Sequence, residues 1–375
     1  MKPDEAVLRF LESTARPAEA AQYLSLFRAE RPESFATLAV SDTVMRDDGG
    51  ALVTDLRYLS KLGLTPVVVL GLLTPARAEA DAERLRERLA GDVGVDVVAP
   101  DRAKAVARSG RIPIVPLATP PDTDARWTVF GDLVDALAAR KVIFVGRHPG
   151  LVPEGRRPPS IVDITTELDA LLAPGALPPG QVALLAQAAL LLNRGGRRRT
   201  ASVTSPLDLL RELFTERGAG TLLRLGSQVH RFAAYGDVDR DRLVALVEGA
   251  FGRPLVPGFF DRAPEAIYLA DDFRGTAIVE QTPLGGYLSK FAVGLAARGE
   301  GVARDLWRVM AADYPRLFWR SRTDNPIASW YAQHCDGLQR GPQWCVFWRG
   351  AGVDEIPPMV VHARAAPVDL GPAPV

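Results

Sequence analysis

Residues 287–303 read YLSKFAVGLAARGEGVA, and this run decides how the second half of the chain is built. Its first part, 287–294, has the aromatic and β-branched texture of a strand. After the glycine-rich stretch, Val302, Leu306, Val309 and Met310 recur on one face of a helix. The order is strand, glycine turn, helix. A helix start presents N–H groups without intrahelical partners and the positive end of the macrodipole, and glycines let the backbone approach closely, so such a turn can hold a pyrophosphate. Arg298 adds a donor fork suited to phosphate oxygens. The same pattern also serves as a plain connection.

Working outward, residues 317–322 read LFWRSR. On a strand, Arg320 and Arg322 share one face roughly 7 Å apart, an unfavourable pair unless an anion lies between them. The alternative is an exposed edge strand with both guanidinium groups in water, against which Leu317, Phe318 and Trp319 argue for burial. Asn325 before Pro326 reads as the N-cap and first position of a helix over 326–333. Trp330 and Tyr331 then fall inside it, where Tyr331 either donates a proton or simply packs; spacing does not choose.

Further strands are expected at 266–269, 275–280 and 344–349, with helices at 240–250 and 301–312, giving a mixed α+β domain. Five of the six tryptophans lie beyond residue 300, and the change of texture places a domain boundary near 220–235. The first half alternates β-branched runs at 35–40, 66–71, 112–117 and 141–146 with helical patterns, among them 76–89 and 206–215. That alternation predicts an α/β architecture with a largely parallel sheet. After Asp47-Asp48-Gly49-Gly50, read as turn and N-cap, Leu52, Leu56 and Leu59 have helical spacing. Proline and glycine mark loops at 149–159 and 174–180, followed by the basic stretch 194–199.

Composition bounds the function. The chain has 375 residues, with 45 Lys+Arg against 45 Asp+Glu, so it has no global field to draw nucleic acid or anionic lipid. The apolar runs 64–73 and 182–192 are far shorter than the roughly 20 residues that span a bilayer. Cys335 and Cys345 make no disulfide framework, and the opening MKPDEAVLRFLEST is acidic where a signal peptide is basic, so a cytoplasmic protein is expected. His148, His230, His334 and His362 lack metal-ligand spacing, and no metal is expected.

Five stretches, YLSKF (287–291), RGEGVA (298–303), LFWRSRTDNP (317–326), WY (330–331) and QWCVFWRG (343–350), closely resemble the acetyltransferase domain of N-acetylglutamate synthases. The resemblance is to the vertebrate-like type, in which that domain follows an amino-acid-kinase domain and in some bacteria forms a bifunctional synthase/kinase. It continues in the first half through 47–71 and TSPLDLLRELFTERGAGTLLRLG (204–226). It implies an α/β fold, with an amino-acid-kinase-like open sheet over 1–225 and a GNAT α+β acetyltransferase domain over 226–375. It implies acetyl transfer from acetyl-CoA to the α-amino group of L-glutamate. Phe291, Ala292 and Val293 would flank the pantetheine arm, and Arg298, Gly299, Gly301 and Ala303 would hold the pyrophosphate. Lys290, Arg320, Arg322, Asn325 and Arg253 would bind L-glutamate, and Tyr331 would protonate the departing thiolate. The family further implies a homo-tetramer and L-arginine as an effector near 213–221, where Glu216 could meet a guanidinium.

The first domain departs from its family. A kinase of this fold grips ATP phosphates with a lysine and glycine pair after strand one. Here ATLAVSDTV (36–44) puts Ala39, Ser41 and Asp42 where Lys, Gly and Gly are expected. VVVLGLLTP (67–75) keeps only Gly71, and no lysine occurs in 181–192. Asp42 beside a triphosphate would repel it, so kinase activity is expected to be lost. The competing readings are a bifunctional synthase/kinase, an acetyltransferase for a related amino acid, and a non-enzymatic arginine sensor.

Overall fold

The computed structural model describes residues 24–25, 27–28, 31–120, 122–154, 157–195, 199–215, 218–325 and 327–372. The chain divides into two compact units, Met1–Gly226 and Ser227–Val375. Among the described residues no helix is long and apolar enough to cross a membrane.

The first unit is an open sheet of strands β1 (Thr37–Val40), β2 (Val67–Leu70), β3 (Val95–Val97), β4 (Ile112–Pro116), β5 (Lys141–Val145), β6 (Ile161–Asp163), β7 (Thr200–Thr204) and β8 (Thr221–Arg224). Their order is β3-β4-β2-β1-β5-β7-β8-β6, and all neighbours run parallel except β7 with β8. β1 and β2 are buried at every position, as strands covered on both faces must be. One face packs Leu38, Val68 and Ile114 under the helices Gly49–Lys61 and Ala78–Leu89. The other packs Val69, Val115 and Phe144 under Thr123–Leu137 and Pro179–Gly195. The expected turn at 47–50 is instead a junction of two helices, Asp42–Asp47 and Gly49–Lys61. Ser41 starts the first of them by accepting the Val44 N–H at 3.4 Å.

The second unit is a seven-stranded sheet: β9 (Val229–Phe232), β10 (Ala266–Ala270), β11 (Gly275–Thr282), β12 (Gly285–Val293), β13 (Leu317–Arg322), β14 (Gly337–Arg340) and β15 (Trp344–Arg349), in the order β14-β15-β13-β12-β11-β10-β9. Helices α1 (Arg240–Phe251) and α2 (Ile356–Ala365) cover one face, and α3 (Val302–Asp313) and α4 (Ala328–His334) the other. Gly275 permits the close approach of α3: a Cβ there would stand 2.8 Å from Leu306 and 3.0 Å from Val302. Beneath α3 and α4 lies an aromatic core in which Trp319 stacks on Phe347 at 5.4 Å and meets Trp307 edge-on at 5.1 Å. Such pairs each add about 0.5–1.5 kcal/mol beyond their burial.

Two features of β12 position the site. It pairs with parallel β13 only at Gly286, Tyr287 and Leu288, opposite Leu317, Phe318 and Trp319, and beyond these the two strands are no longer partners. The register with β11 also shifts between Ile278 and Val279, leaving Ser289 as an extra residue. A bulge of this kind turns the following side chains to the opposite faces. Phe291 therefore joins Leu288 in the core under α3, and Lys290 takes the α1 side.

Candidate active site

The gap opened by the parting of β12 and β13 has a different chemistry on each side. On the α3 side stands Tyr331, buried, with Phe291, Trp319, Trp330 and Phe347 rings around it at 5.5–6.3 Å between centroids. Its hydroxyl has no hydrogen-bond partner among the described residues. Burial pushes its pKa upward, so the neutral phenol persists through the physiological range. Ser289 Oγ and Trp319 Nε1, beside the point where the strands part, are also buried without partners.

At the far end of β12 the chain turns through residues 294–301 into α3. Gly299 and Gly301 adopt φ of +75° and +78°, values costly for any side-chain-bearing residue. Gly301 is the N-cap of α3, so the opening N–H groups of a twelve-residue helix face the turn. Glu300 is folded back onto Arg274. Arg298 donates from Nη2 to the Ala250 carbonyl at 2.9 Å, at the end of α1. Ala303 is half-buried in the first turn of α3, and Ala292 and Val293 complete the strand leading into this loop.

On the α1 and α2 side lie the cations. Lys290 is buried, pairs with the Asp369 carboxylate, and sits 5.1 Å over the Phe259 ring. Burial lowers its pKa, and Asp369 works against that fall. Arg262 closes on the same carboxylate and lies 3.9 Å from Glu280. Arg253 donates from Nε to the Gly371 carbonyl at 2.6 Å. Arg320 donates to the carbonyls of Ala363 at 2.9 Å, Arg364 at 3.2 Å and Pro367 at 2.6 Å, and it stacks on Trp344 at 4.1 Å.

That geometry answers the question raised by LFWRSR. β13 is an interior strand, with Leu317, Phe318 and Trp319 at most 1% exposed. Arg320 and Arg322 do share a face, both over Trp344, but no anion between them is needed. Arg320 is satisfied by the carbonyl end of α2, where the helix dipole favours a cation. Arg322 remains exposed, 3.6 Å from Asp324. Asn325 is not the helix N-cap: α4 begins at Ala328 with Ile327 in that place, and Asn325 Oδ1 accepts the Ile327 N–H at 3.0 Å in an Asx turn. Pro326 and Glu216 lie outside the described residues. Near the latter, Glu212 accepts the N–H groups of Ala219 and Gly220 at 2.8 and 3.0 Å.

The fold thus gathers Lys290, Arg253 and Arg320 on one side of the sheet and Tyr331 with Phe291 on the other. Arg322 and Asn325 sit at the outer end of β13. Sequence reasoning missed Arg262 and Asp369. Charged residues so remote along the chain carry no local period, and only the return of the segment after α2 brings them to Lys290.

In the first unit, the helix that follows β1 opens with Asp42, whose carboxylate accepts a hydrogen bond at 3.1 Å from Thr74, after β2, and pairs with Arg46 at 3.5 Å. The basic stretch 194–199, where described, is engaged internally: Arg194 bonds Asp132 and Asp135, and Arg199 bonds Asp135 at 2.7 Å.

Comparison with known proteins agrees with both halves. A family model described as the N-acetyltransferase of N-acetylglutamate synthase matches residues 226–366. An acetylglutamate kinase of Xanthomonas campestris pv. campestris is 29% identical over 95% of this chain and 100% of its own length. Human mitochondrial N-acetylglutamate synthase is 29% identical over 94% of this chain and 76% of its own. The crystal structure of N-acetylglutamate synthase from Neisseria gonorrhoeae, complexed with coenzyme A and N-acetyl-glutamate, shares the fold over 88% of this chain and 97% of its own, with a TM-score of 0.52 at 16% identity. The same enzyme complexed with coenzyme A and L-arginine gives 0.53 at 17%. Residues 226–366 are thus an N-acetyltransferase domain of the N-acetylglutamate synthase type, and the chain is homologous through both of its units, an amino-acid-kinase-like sheet and this domain, to N-acetylglutamate synthases and to proteins named acetylglutamate kinase.

Proposed function

We propose that this chain is an N-acetylglutamate synthase that moves the acetyl group of acetyl-CoA to the α-amino group of L-glutamate, the first step of arginine biosynthesis. The observation that carries this reading is the gap where β12 and β13 part, with a helix-start turn at one end, a buried phenol on one side and a cation cluster on the other. The pyrophosphate would rest on the turn at Gly299, Gly301 and Ala303, with Arg298 beside it. The pantetheine arm would extend along the edge of Phe291–Ala292–Val293 that β13 leaves unpaired, its amides replacing a strand partner. Lys290, Arg253, Arg320, Arg322 and Asn325 supply the donors for a dicarboxylate acceptor.

The neutral acceptor amine attacks the thioester carbonyl to give a tetrahedral adduct with a positively charged nitrogen. The C–S bond breaks as the departing thiolate takes a proton from the buried, neutral phenol of Tyr331, and the proton that the nitrogen must lose returns through water to the tyrosinate, leaving the amide, the free thiol and the phenol restored. A phenol held protonated suits an acid and not a base.

The kinase-like unit serves in this reading as scaffold without phosphoryl transfer. Asp42 stands with Thr74 and Arg46 between the loops where phosphates would lie, and a carboxylate there opposes them. The full-length relative named acetylglutamate kinase keeps the bifunctional alternative in view, and assay for ADP separates the two. A cytoplasmic homo-oligomer with L-arginine as effector completes the proposal, on the strength of the family.

The test is thiol release from acetyl-CoA by the purified chain across a panel of amino acids. The proposal expects release with L-glutamate well above that with L-glutamine, L-aspartate or water. Equal release with glutamine would remove the dicarboxylate assignment, and none with any amine would remove the enzyme.

A further inference from the structure

The cations on the α1 and α2 side are engaged within the chain, Lys290 buried and Arg253, Arg262 and Arg320 half-buried. Arg253, Arg262, Lys290 and Arg320 all close on one short piece of chain, residues 367–371. Arg320 holds the Pro367 carbonyl at 2.6 Å, Lys290 and Arg262 hold the Asp369 carboxylate, and Arg253 holds the Gly371 carbonyl at 2.6 Å. The segment is stitched to the residues after α1: Val256 N–H donates to the Asp369 carbonyl at 3.0 Å and Gly371 N–H to the Pro254 carbonyl at 2.8 Å, around a bridge between Leu255 and Leu370. Tyr287, buried beneath, feels Arg320, Glu280, Asp369 and Arg262 together, so these groups form one electrostatic cluster.

Three of these four cations are the ones assigned above to the acceptor, and the anion already in the cluster, held by Lys290 and Arg262, is a carboxylate on a short side chain. Backbone carbonyls satisfy the hydrogen bonds of Arg253 and Arg320 but neutralise no charge. Lys290 is buried, and a buried ammonium stripped of its partner is strongly disfavoured. Whatever enters must therefore bring a carboxylate to replace the one it removes. The ties of the segment are mainly polar and exchangeable, and Val368 at its centre is 57% exposed.

We infer that segment 367–371 is a built-in occupant of the acceptor site and that Asp369 governs acceptor selection by carboxylate exchange, the acceptor's carboxylate taking its place on Lys290 and Arg262. The inference rests on the acetyltransferase reading of this site. A tethered carboxylate competes at an effective concentration in the millimolar range. Neutral and cationic side chains cannot displace it, because they would leave the buried Lys290 without a counter-charge. Apparent acceptor affinity is lowered by the fraction of molecules in which the segment is lifted.

Asp369→Asn in the full chain tests this. The KM for L-glutamate at saturating acetyl-CoA should fall about tenfold, the gain for a segment lifted one-tenth of the time. Glutarate, a dicarboxylate with no amine, should inhibit the variant at correspondingly lower concentration. A folded variant with unchanged or raised KM would overturn the inference. Should the variant not fold, hydrogen exchange on the unmodified chain decides: glutarate should speed exchange of the Val256 and Gly371 amides, and slowed or unchanged exchange would overturn it. Faster exchange with glutarate but no thiol release with L-glutamate would retain the exchangeable segment and remove the acetyl-transfer reading instead.

Discussion

Each unit contains a strand that turns into a helix at a place where a phosphate could sit, and the two junctions have opposite electrostatics. After β12, Gly299 and Gly301 fold the chain with positive φ, and the start of α3 faces the turn with Glu300 drawn away onto Arg274. After β1, Ser41 uses its own hydroxyl to cap the helix, and Asp42 places a carboxylate between the loops. Similar backbone architecture would thus suit an anion in one unit and oppose it in the other. Fold alone does not report which activity survives; the side chain at the turn does.

The largest effect on catalysis should come from the acid. Tyr331→Phe removes the proton donor while keeping the ring in its aromatic core, and kcat should fall about 100-fold or more with both KM values little changed, by steady-state kinetics. Undiminished kcat would break the contrast from the second unit's side.

The first unit has a titratable weak point. Asp55 is buried on the helix Gly49–Lys61, its Oδ2 has no hydrogen-bond partner among the described residues, and burial raises its pKa to about 8. Its folded pKa lies above the unfolded value, so the folded state favours the protonated form. Stability is therefore greatest below the unfolded pKa, declines as pH rises from about 4 to 8, and levels off above. Asp55→Asn cannot ionise, so it should stabilise the chain by about 5 kcal/mol at pH 8 and by almost nothing near pH 4. Calorimetry at both pH values checks this, and an equal effect at both would refute it.

Gly301→Val places a side chain at φ +78° and should weaken CoA binding about tenfold by isothermal titration. Arg322→Ala removes an exposed cation and should raise the L-glutamate KM about threefold, in line with the modest worth of solvent-facing charges. The smallest expectation is a null one: saturating Mg-ATP should leave the melting temperature unchanged, whereas acetyl-CoA raises it.

Legibility followed burial and length. β1, β2, β4 and β5 announce themselves as apolar runs buried on both faces, and β10 to β13 and β15 as longer β-rich runs. β3 and β6 have three residues each, too few to show a period, and β7, TASVT, is buried at every position yet made of small and polar residues. The helix α2 opens with Ile356-Pro357-Pro358, which reads as a loop, although proline is well accommodated in a first turn. At the site, the turn 298–303 was legible because neighbours in sequence make it, whereas the aromatic setting of Tyr331 is built by Phe291, Trp319 and Phe347 from three separate strands. The bulge at Ser289, which decides the face of Lys290, was not legible, since it depends on register with another strand. The reach of Arg320 to the end of α2 was hidden for the same reason, its partners lying more than forty residues away.

The account is tested most directly by assaying one preparation for both activities: thiol release from acetyl-CoA with L-glutamate, and ADP release from ATP with N-acetylglutamate. It predicts glutamate-dependent thiol and no ADP. ADP formation at a rate comparable to the synthase reaction would contradict it, because it would mean that Ala39, Ser41 and Asp42 still serve a working phosphate site.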